Sequence, residues 1–217
     1  MSDPIEVGRL LRASTTGCVV GCRLSQWGVP SLGALLRIPL GGDADYHIFG
    51  LIYDIHVDDD GLVRQLATTE HVSRDVIDDN RINRNVPLEI SVVFVGFQEN
   101  GKTWHMLPPR PPLSLDAIYT CTGEELCQFT ASGSFGYFRH VLRNADLPVG
   151  ELLAAHLRQA AAAHAAPGTA CSDPGWAERA TQELITLLRD DYPTLMSVLG
   201  ALGDAGISFG QMQGGLS

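Results

Sequence analysis

The stretch Ile90-Ser-Val-Val-Phe-Val-Gly-Phe-Gln-Glu-Asn-Gly-Lys-Thr103 decides between two folds for this chain. Its last eight residues match the phosphate-loop pattern G-x-x-x-x-G-K-[ST], and an apolar run precedes them as a strand should. In a nucleotide hydrolase of this type, backbone amides around Gly96 and Gly101 would surround the phosphates. Lys102 would then reach the β- and γ-phosphates, and Thr103 would hold Mg²⁺. This chemistry requires a helix that begins at Gly-Lys-Thr, because the N-terminal amides of that helix bind the phosphate.

The sequence after Thr103 is incompatible with such a helix. After only four further residues come four prolines within residues 108–112, which remove amide donors and clash with the preceding turn. Asn100-Gly101 lies between two apolar runs, and this pair favours a type I′ hairpin turn because both positions need positive φ. We therefore predict a hairpin and assign no catalytic, cofactor-binding or metal-binding residue. A phosphate-loop hydrolase that uses residues 96–103 remains an alternative function.

Short β-type runs separated by turn residues lie upstream of the decisive stretch and continue through it. Several short strands with turns between them are typical of a small barrel or sandwich, in which closure removes exposed edges. Residues 68–86 are polar, and we predict a long excursion between strands there. The predicted strands are residues 8–11, 18–24, 34–38, 47–55, 88–97 and 103–107.

A proline-rich segment, Leu107-Pro-Pro-Arg-Pro-Pro112, separates this β-type region from a helical one. It can be neither helix nor central strand, so we predict a stiff, extended linker. Further on, Ser172 or Asp173 is the expected N-cap of a helix with Pro174 in its first turn. The predicted fold class is α+β. It consists of a small β-barrel at residues 1–107, a proline-rich linker and connector at 108–146, and a helical region at 147–217 with helices at about 152–165, 172–189 and 192–202.

The chain is acidic, with a formal net charge of -10 at pH 7 and a sequence pI near 5.0. A negative surface repels the phosphate backbone, so direct nucleic-acid binding is not expected. A barrel that binds single-stranded nucleic acid is a further alternative, since small barrels often do so. No stretch approaches the ~20 apolar residues of a membrane span. The N-terminus lacks the apolar core of a signal peptide, so we expect a cytoplasmic protein without membrane association.

The cysteines and histidines are dispersed and indicate structural roles. Five cysteines are an odd number, scattered along the chain, so a disulfide framework is not expected. Strand alternation places Cys18 and Cys22 on one face, where we expect them to pack as small apolar side chains. His156 and His164 lie eight residues apart on one predicted helix, too far to chelate one ion directly.

The N-terminal half also carries segments that resemble a known family. An opening strand at Val7-Gly-Arg-Leu-Leu11 is followed by Gly33-Ala-Leu-Leu-Arg-Ile38 and by an aromatic-x-x-x-Gly-apolar strand that begins at Tyr46. The proline segment and then Glu124-Glu-Leu126 follow. Across residues 5–125 this arrangement is similar to the HAS-barrel, the small β-barrel of HerA-type DNA translocases and rotary ATP synthase subunits.

The resemblance implies the accessory part of such a machine, without the ATPase domain. Barrels of this family line up around a ring and offer a docking surface. We therefore expect a non-catalytic assembly or adaptor protein that needs no cofactor. Its expected partner is a HerA-like ATPase or nuclease, or other copies of itself in a homo-oligomer.

Overall fold

The computed structural model describes residues 4–23, 30–40, 43–57, 68–69, 72–75, 87–168 and 170–207, so most of the predicted excursion at 68–86 lies outside the described residues. Its class is α+β, as predicted. The strands are β1 (Glu6–Ala13), β2 (Gly17–Arg23), β3 (Leu35–Leu40), β4 (Asp43–Val57), β5 (Pro87–Glu99), β6 (Lys102–Trp104) and β7 (Ala117–Thr120). The helices are α1 (Gly123–Ala131), α2 (Phe138–Leu142), α3 (Val149–Ala165), α4 (Trp176–Leu187) and α5 (Tyr192–Asp204). Within the described ranges, no helix combines the length and the apolar character that crossing a membrane requires.

Six antiparallel strands close into a barrel. Each strand pairs with the next in the order β1-β2-β5-β4-β3-β7, and β7 pairs back with β1. Closure gives every one of these strands a partner on both sides. The 13 residues of β5 pair with β4 on one side and with β2 and then β6 on the other. The predicted small barrel is confirmed, and its membership of the HAS-barrel family stays a prediction.

Alternate strand residues fill the inside of the barrel. Ile90, Val92 and Phe94 of β5 are buried in this interior, and Cys18 and Cys22 of β2 lie among them, as their predicted common face requires. Both cysteines are free thiols. Burial raises the pKa of both, that of Cys18 to about 12, because a thiolate there would lose its hydration. These two residues therefore act as small apolar side chains, as predicted.

The helices cover the outer face of the long strands. Phe49 and Leu51 of β4, together with Val93 and Val95 of β5, pack with the helices in a second core. Because β5 is buried on both faces, its sequence reads as a nearly continuous apolar run instead of an alternating one. The helical region and the barrel thus share a core.

The last strand of the barrel comes from beyond the prolines. β7 pairs with β1 and β3, so the chain returns to the barrel within the range 108–146 that was expected to be linker and connector. The same range contains α1 and α2. Pro108 and Pro112 are buried, which a free spacer would not show. A four-residue strand is too short for its periodicity to be recognised, and only its two distant partners define it.

Helix α4 begins later than its predicted cap. It starts at Trp176 without a side-chain cap, so neither Ser172 nor Asp173 is the N-cap. Asp173 instead accepts a hydrogen bond from the amide of Gly175 at 3.1 Å, and its carboxylate pairs with Arg179. An aspartate side chain that bonds the backbone two residues on forms a turn of its own, which competes with capping.

A disulfide joins Cys127 of α1 to Cys171 in the connection between α3 and α4. The expectation that the cysteines are unpaired is wrong for this pair. The two residues are 44 positions apart, and the packing of separate elements brings them together, so their spacing carried no signal.

Helix α3 is held on the barrel at a glycine. Gly33 has φ +76°, and a Cβ there would lie 2.5 Å from the backbone nitrogen of His156. The Gly33 amide donates to the carbonyl of Ile52 at 2.8 Å, and its own carbonyl accepts from Nδ1 of His156 at 3.1 Å. Since a carbonyl only accepts, Nδ1 carries the proton, and Nε2 accepts from the hydroxyl of Tyr137 at 3.1 Å. His156 is therefore a structural histidine, as predicted.

Candidate functional site

Residues 96–103 form a β-hairpin. Asn100 and Gly101 have φ values of +50° and +74°, which are the positive angles that the predicted turn requires. Glu99 pairs with Lys102 and Gln98 with Thr103 across the two strands. The chain after Thr103 continues as strand to Trp104 and then as irregular backbone with bends at residues 106, 109 and 110, so no helix begins there. The predicted hairpin is confirmed.

The residues of the phosphate-loop pattern each have a place in this hairpin. A Cβ on Gly96 would lie 2.6 Å from the carbonyl oxygen of Trp104 and 2.9 Å from Cε2 of Phe129, so close packing requires glycine there. The ammonium of Lys102 lies 3.9 Å from the centroid of the Trp104 ring, in a cation–π contact. Thr103 is a half-buried residue of β6. The side chains are held for pairing and packing, and the backbone amides do not converge on a helix N-terminus.

We expect no binding heat when Mg-ATP is titrated into the wild-type protein in a calorimeter. In the hairpin, the ammonium of Lys102 lies over the ring of Trp104 and Thr103 belongs to a strand, so neither residue is placed to bind a phosphate or Mg²⁺. A Lys102→Ala variant should give the same flat titration and should lose no more than about 1 kcal/mol of stability, the size of an exposed cation–π contact. Saturable binding by the wild type that the variant lacks would favour the hydrolase alternative.

Exposed apolar side chains are concentrated just after the hairpin. Residues 104–115, which we term the apolar strip, hold five of the eleven large hydrophobic residues that are exposed in the described part of the chain. Single exposed apolar residues are ordinary, but a concentration of them is typical of an interaction surface. The five are Trp104, Met106, Leu107, Leu113 and Leu115, with exposed fractions from 37% to 70%.

The N-terminal end of the apolar strip is anchored to the helices by His105. Its ring packs against Phe129 and Tyr137, with centroids 4.9 and 5.0 Å apart, and its Nε2 donates to the carbonyl of Phe129 at 3.2 Å. Its own carbonyl accepts from Arg139 and, at 3.3 Å, from Nε2 of His140. Burial lowers the pKa of His105, and its neutral ring suits this packing. Trp104 and Met106 on either side of it stay exposed.

The C-terminal end of the apolar strip is anchored to the barrel. The amide of Leu115 donates to the carbonyl of Leu10 in β1 at 2.9 Å. The amide of Leu113 donates to Oδ2 of Asp116 at 3.1 Å. Buried Pro108 and Pro112 lie between the two ends. The backbone is thus fixed while the leucine side chains face solvent.

Leu115 has an unusual backbone for an exposed leucine. Its φ is +71°, in the left-handed region that costs a bulky residue about 1 kcal/mol or more, and its side chain is 70% exposed. Phe135, which also has positive φ, stacks on Phe138 and contacts Trp176, so packing accounts for it. A leucine that faces solvent in a costly conformation is typical of a functional surface.

The charge of the apolar strip differs from that of the chain as a whole. Between residues 104 and 115 the sequence contains Arg110 but no aspartate or glutamate, although the chain carries a net charge of -10. The sequence analysis predicted a strand at residues 103–107 and a linker from residue 108 onward, and it missed the exposed apolar side chains; the strand ends at Trp104. The available signal was the combination of Met and Leu on both sides of the prolines with the lack of acidic residues.

The described residues contain no group of side chains that is suited to holding a metal ion. Within the described ranges, no three His, Cys, Asp or Glu side chains lie close enough together to hold an ion. In comparisons with models of known protein families and with curated proteins, this sequence matches none.

Proposed function

We propose that this chain is a non-catalytic assembly module that binds a protein partner through the apolar strip. The supporting observation is that five large apolar side chains are held exposed by a segment whose two ends are hydrogen-bonded to the body of the protein. A segment that is ordered before binding loses less conformational freedom on association. Proline-rich apolar segments commonly dock in aromatic-lined grooves of other proteins.

The partner class that we propose is a HerA-like ATPase, which the resemblance to the HAS-barrel implies. The charge of the apolar strip adds a physical requirement: residues 104–115 contain Arg110 and no aspartate or glutamate of their own, so the strip fits a partner groove that is apolar and neutral or acidic. A nuclease partner and self-association are the alternatives to be separated by experiment. The net charge of -10 disfavours a nucleic-acid partner.

A double Leu113→Asn, Leu115→Asn variant is expected to bind the partner at least tenfold more weakly, a loss of about 1.4 kcal/mol or more. Both side chains are more than 60% exposed, so their replacement should not disturb the folded core. Asparagine also tolerates the left-handed backbone at position 115 better than leucine. Calorimetry with a purified HerA-like ATPase, with a nuclease in a parallel titration, measures the effect.

Met196→Gln is the matched control, because Met196 is 48% exposed but lies on α5, away from the apolar strip in the chain. It should bind as tightly as the wild type. Sedimentation of the chain alone tests self-association with the same variants. A strictly monomeric wild type that binds neither candidate partner would contradict the proposed function. Equal losses in the control and the double variant would remove the apolar strip as its surface.

A further inference from the structure

A histidine lies directly against the Cys127–Cys171 disulfide. His164, on α3, is 99% buried, and its Nδ1 is 3.4 Å from Sγ of Cys127 and 3.1 Å from the carbonyl oxygen of Cys171. Cys127 is fully buried on α1, whereas Cys171 is partly exposed in the connection between α3 and α4. The two residues of the disulfide therefore differ in their exposure to solvent.

The hydrogen bonds around His164 fix which ring nitrogen carries the proton. Nδ1 carries it, because the carbonyl of Cys171 can only accept. Nε2 lies 2.8 Å from the hydroxyl oxygen of Thr130, which also lies 2.7 Å from the carbonyl oxygen of Leu126 and 3.2 Å from that of Cys127. Burial lowers the pKa of His164, so the neutral ring presents its Nδ1–H to Sγ of Cys127.

The surroundings hold the ring in this position. The ring of Trp176 stacks on that of His164 with a centroid distance of 4.7 Å and an interplanar angle of 10°, and its indole N–H donates to the carbonyl of Thr130 at 3.2 Å. Thr130 and Trp176 also line a surface cavity of about 460 Å³ together with Asp173 and Arg179. The histidine is thus a fixed donor beside one sulfur, near an open cavity.

We propose that Cys127–Cys171 is a thiol–disulfide exchange site whose substrate is a dithiol. The thiolate of the dithiol attacks Sγ of Cys171, the partly exposed residue of the pair, and a new S–S bond forms as the Cys127–Cys171 bond breaks. Cys127 leaves as a thiolate, to which Nδ1–H of His164 donates, and it then takes up a proton. The second thiol of the dithiol attacks the mixed disulfide and releases Cys171. The two cysteines gain two electrons and two protons, and the dithiol becomes a disulfide.

The other three cysteines are free thiols. Burial raises the pKa of Cys18, Cys22 and Cys121, and the neighbouring Glu125 raises that of Cys121 further. Cys127 is buried as well, so its thiolate would also lose hydration. The hydrogen bond from His164 offsets this loss, and the exchange rate rises as the leaving thiolate is stabilised.

The test first blocks the accessible free thiols of the oxidised chain with iodoacetamide and then treats the folded protein with dithiothreitol. At each time point an excess of maleimide in denaturant labels the thiols, and peptide mass spectrometry locates the labels. Label at Cys127 and Cys171 should increase with the time of treatment, at a rate at least tenfold lower in His164→Phe. Phenylalanine keeps a ring against Trp176 but has no N–H to donate to Cys127. Cys121→Ser is the control and should react at the wild-type rate.

A second measurement needs no variant. A limiting amount of glutathione, a monothiol, should be trapped on Cys171 and not on Cys127. Glutathione on Cys127, a disulfide that resists dithiothreitol until the protein is unfolded, or equal rates in wild type and a folded His164→Phe variant would each overturn the proposal.

Discussion

A Gly33→Ala variant is expected to lose about 3 kcal/mol of unfolding free energy. The left-handed φ of +76° costs a non-glycine residue about 1 kcal/mol. The added methyl group would also lie 2.5 Å from the backbone nitrogen of His156 and 2.9 Å from Cβ of Ala155. The backbone of α3 cannot rotate out of the way as a flexible side chain can, so α3 must move away from the barrel. Overpacking of this kind costs roughly 1–3 kcal/mol more. Urea denaturation at constant m-value measures the change.

Gly206→Ala is the matched control for this prediction. Gly206 has the same φ of +76°, and nothing lies within 4 Å of the position that its Cβ would take. Its replacement should therefore cost only the conformational penalty of about 1 kcal/mol. If both variants lost the same unfolding free energy, the close approach of α3 to Gly33 would not contribute to stability. That result would contradict the packing of α3 against the barrel at Gly33.

Acidification from pH 7 to pH 4 is expected to remove about 3 kcal/mol of stability through His156 alone. Burial lowers the pKa of His156 from 6.5 to about 4, so the folded protein binds fewer protons than the unfolded chain between these values. The stability that the neutral ring contributes is present above pH 6.5 and is lost as the pH falls toward 4. The pKa values of His105, His140 and His164 are also lowered, mainly by burial, which adds to the loss in the same direction.

A His156→Asn variant separates this contribution from general acid effects. Asparagine can still donate to the carbonyl of Gly33, but it does not titrate, so its stability should fall less steeply between pH 6.5 and 4. It should be less stable than the wild type at pH 7, because the hydroxyl of buried Tyr137 loses its acceptor. His56→Asn, at an exposed position, should keep the wild-type pH profile. An unchanged slope in His156→Asn would show that His156 does not control the acid sensitivity.

The features that the sequence predicted correctly are those fixed by the backbone preferences of a few neighbouring residues. Asn100-Gly101 accepts positive φ at both positions, so the hairpin could be read without any knowledge of its surroundings. The prolines after Thr103 excluded a phosphate-binding helix in the same way. The alternation that puts Cys18 and Cys22 on one face, and the periodicity of α3, also depend on neighbouring residues alone.

The candidate site could not be predicted in the same way. The apolar strip has the composition of a spacer, and its role depends on which side chains become buried: Pro108 and Pro112 are covered while Leu113 and Leu115 are not. Two contacts determine which of these side chains are buried. The ring of His105 packs on Phe129 of α1, and the amide of Leu115 donates to the carbonyl of Leu10 in β1. The Cys127–Cys171 pair and its histidine likewise meet only because α1 packs against α3.

By itself, the sequence determined the α+β class, the succession of short strands, the hairpin at Asn100-Gly101 and the structural role of Cys18 and Cys22. Each of these depends on dihedral preferences and on the alternation of neighbouring side chains, which act over a few residues. The tertiary structure alone decided that β7 closes the barrel, that Gly33 fits against α3, and that the disulfide and the apolar strip form. These features join residues far apart in the chain, and their free energy comes from burial and close contact, which exist only after the elements have packed.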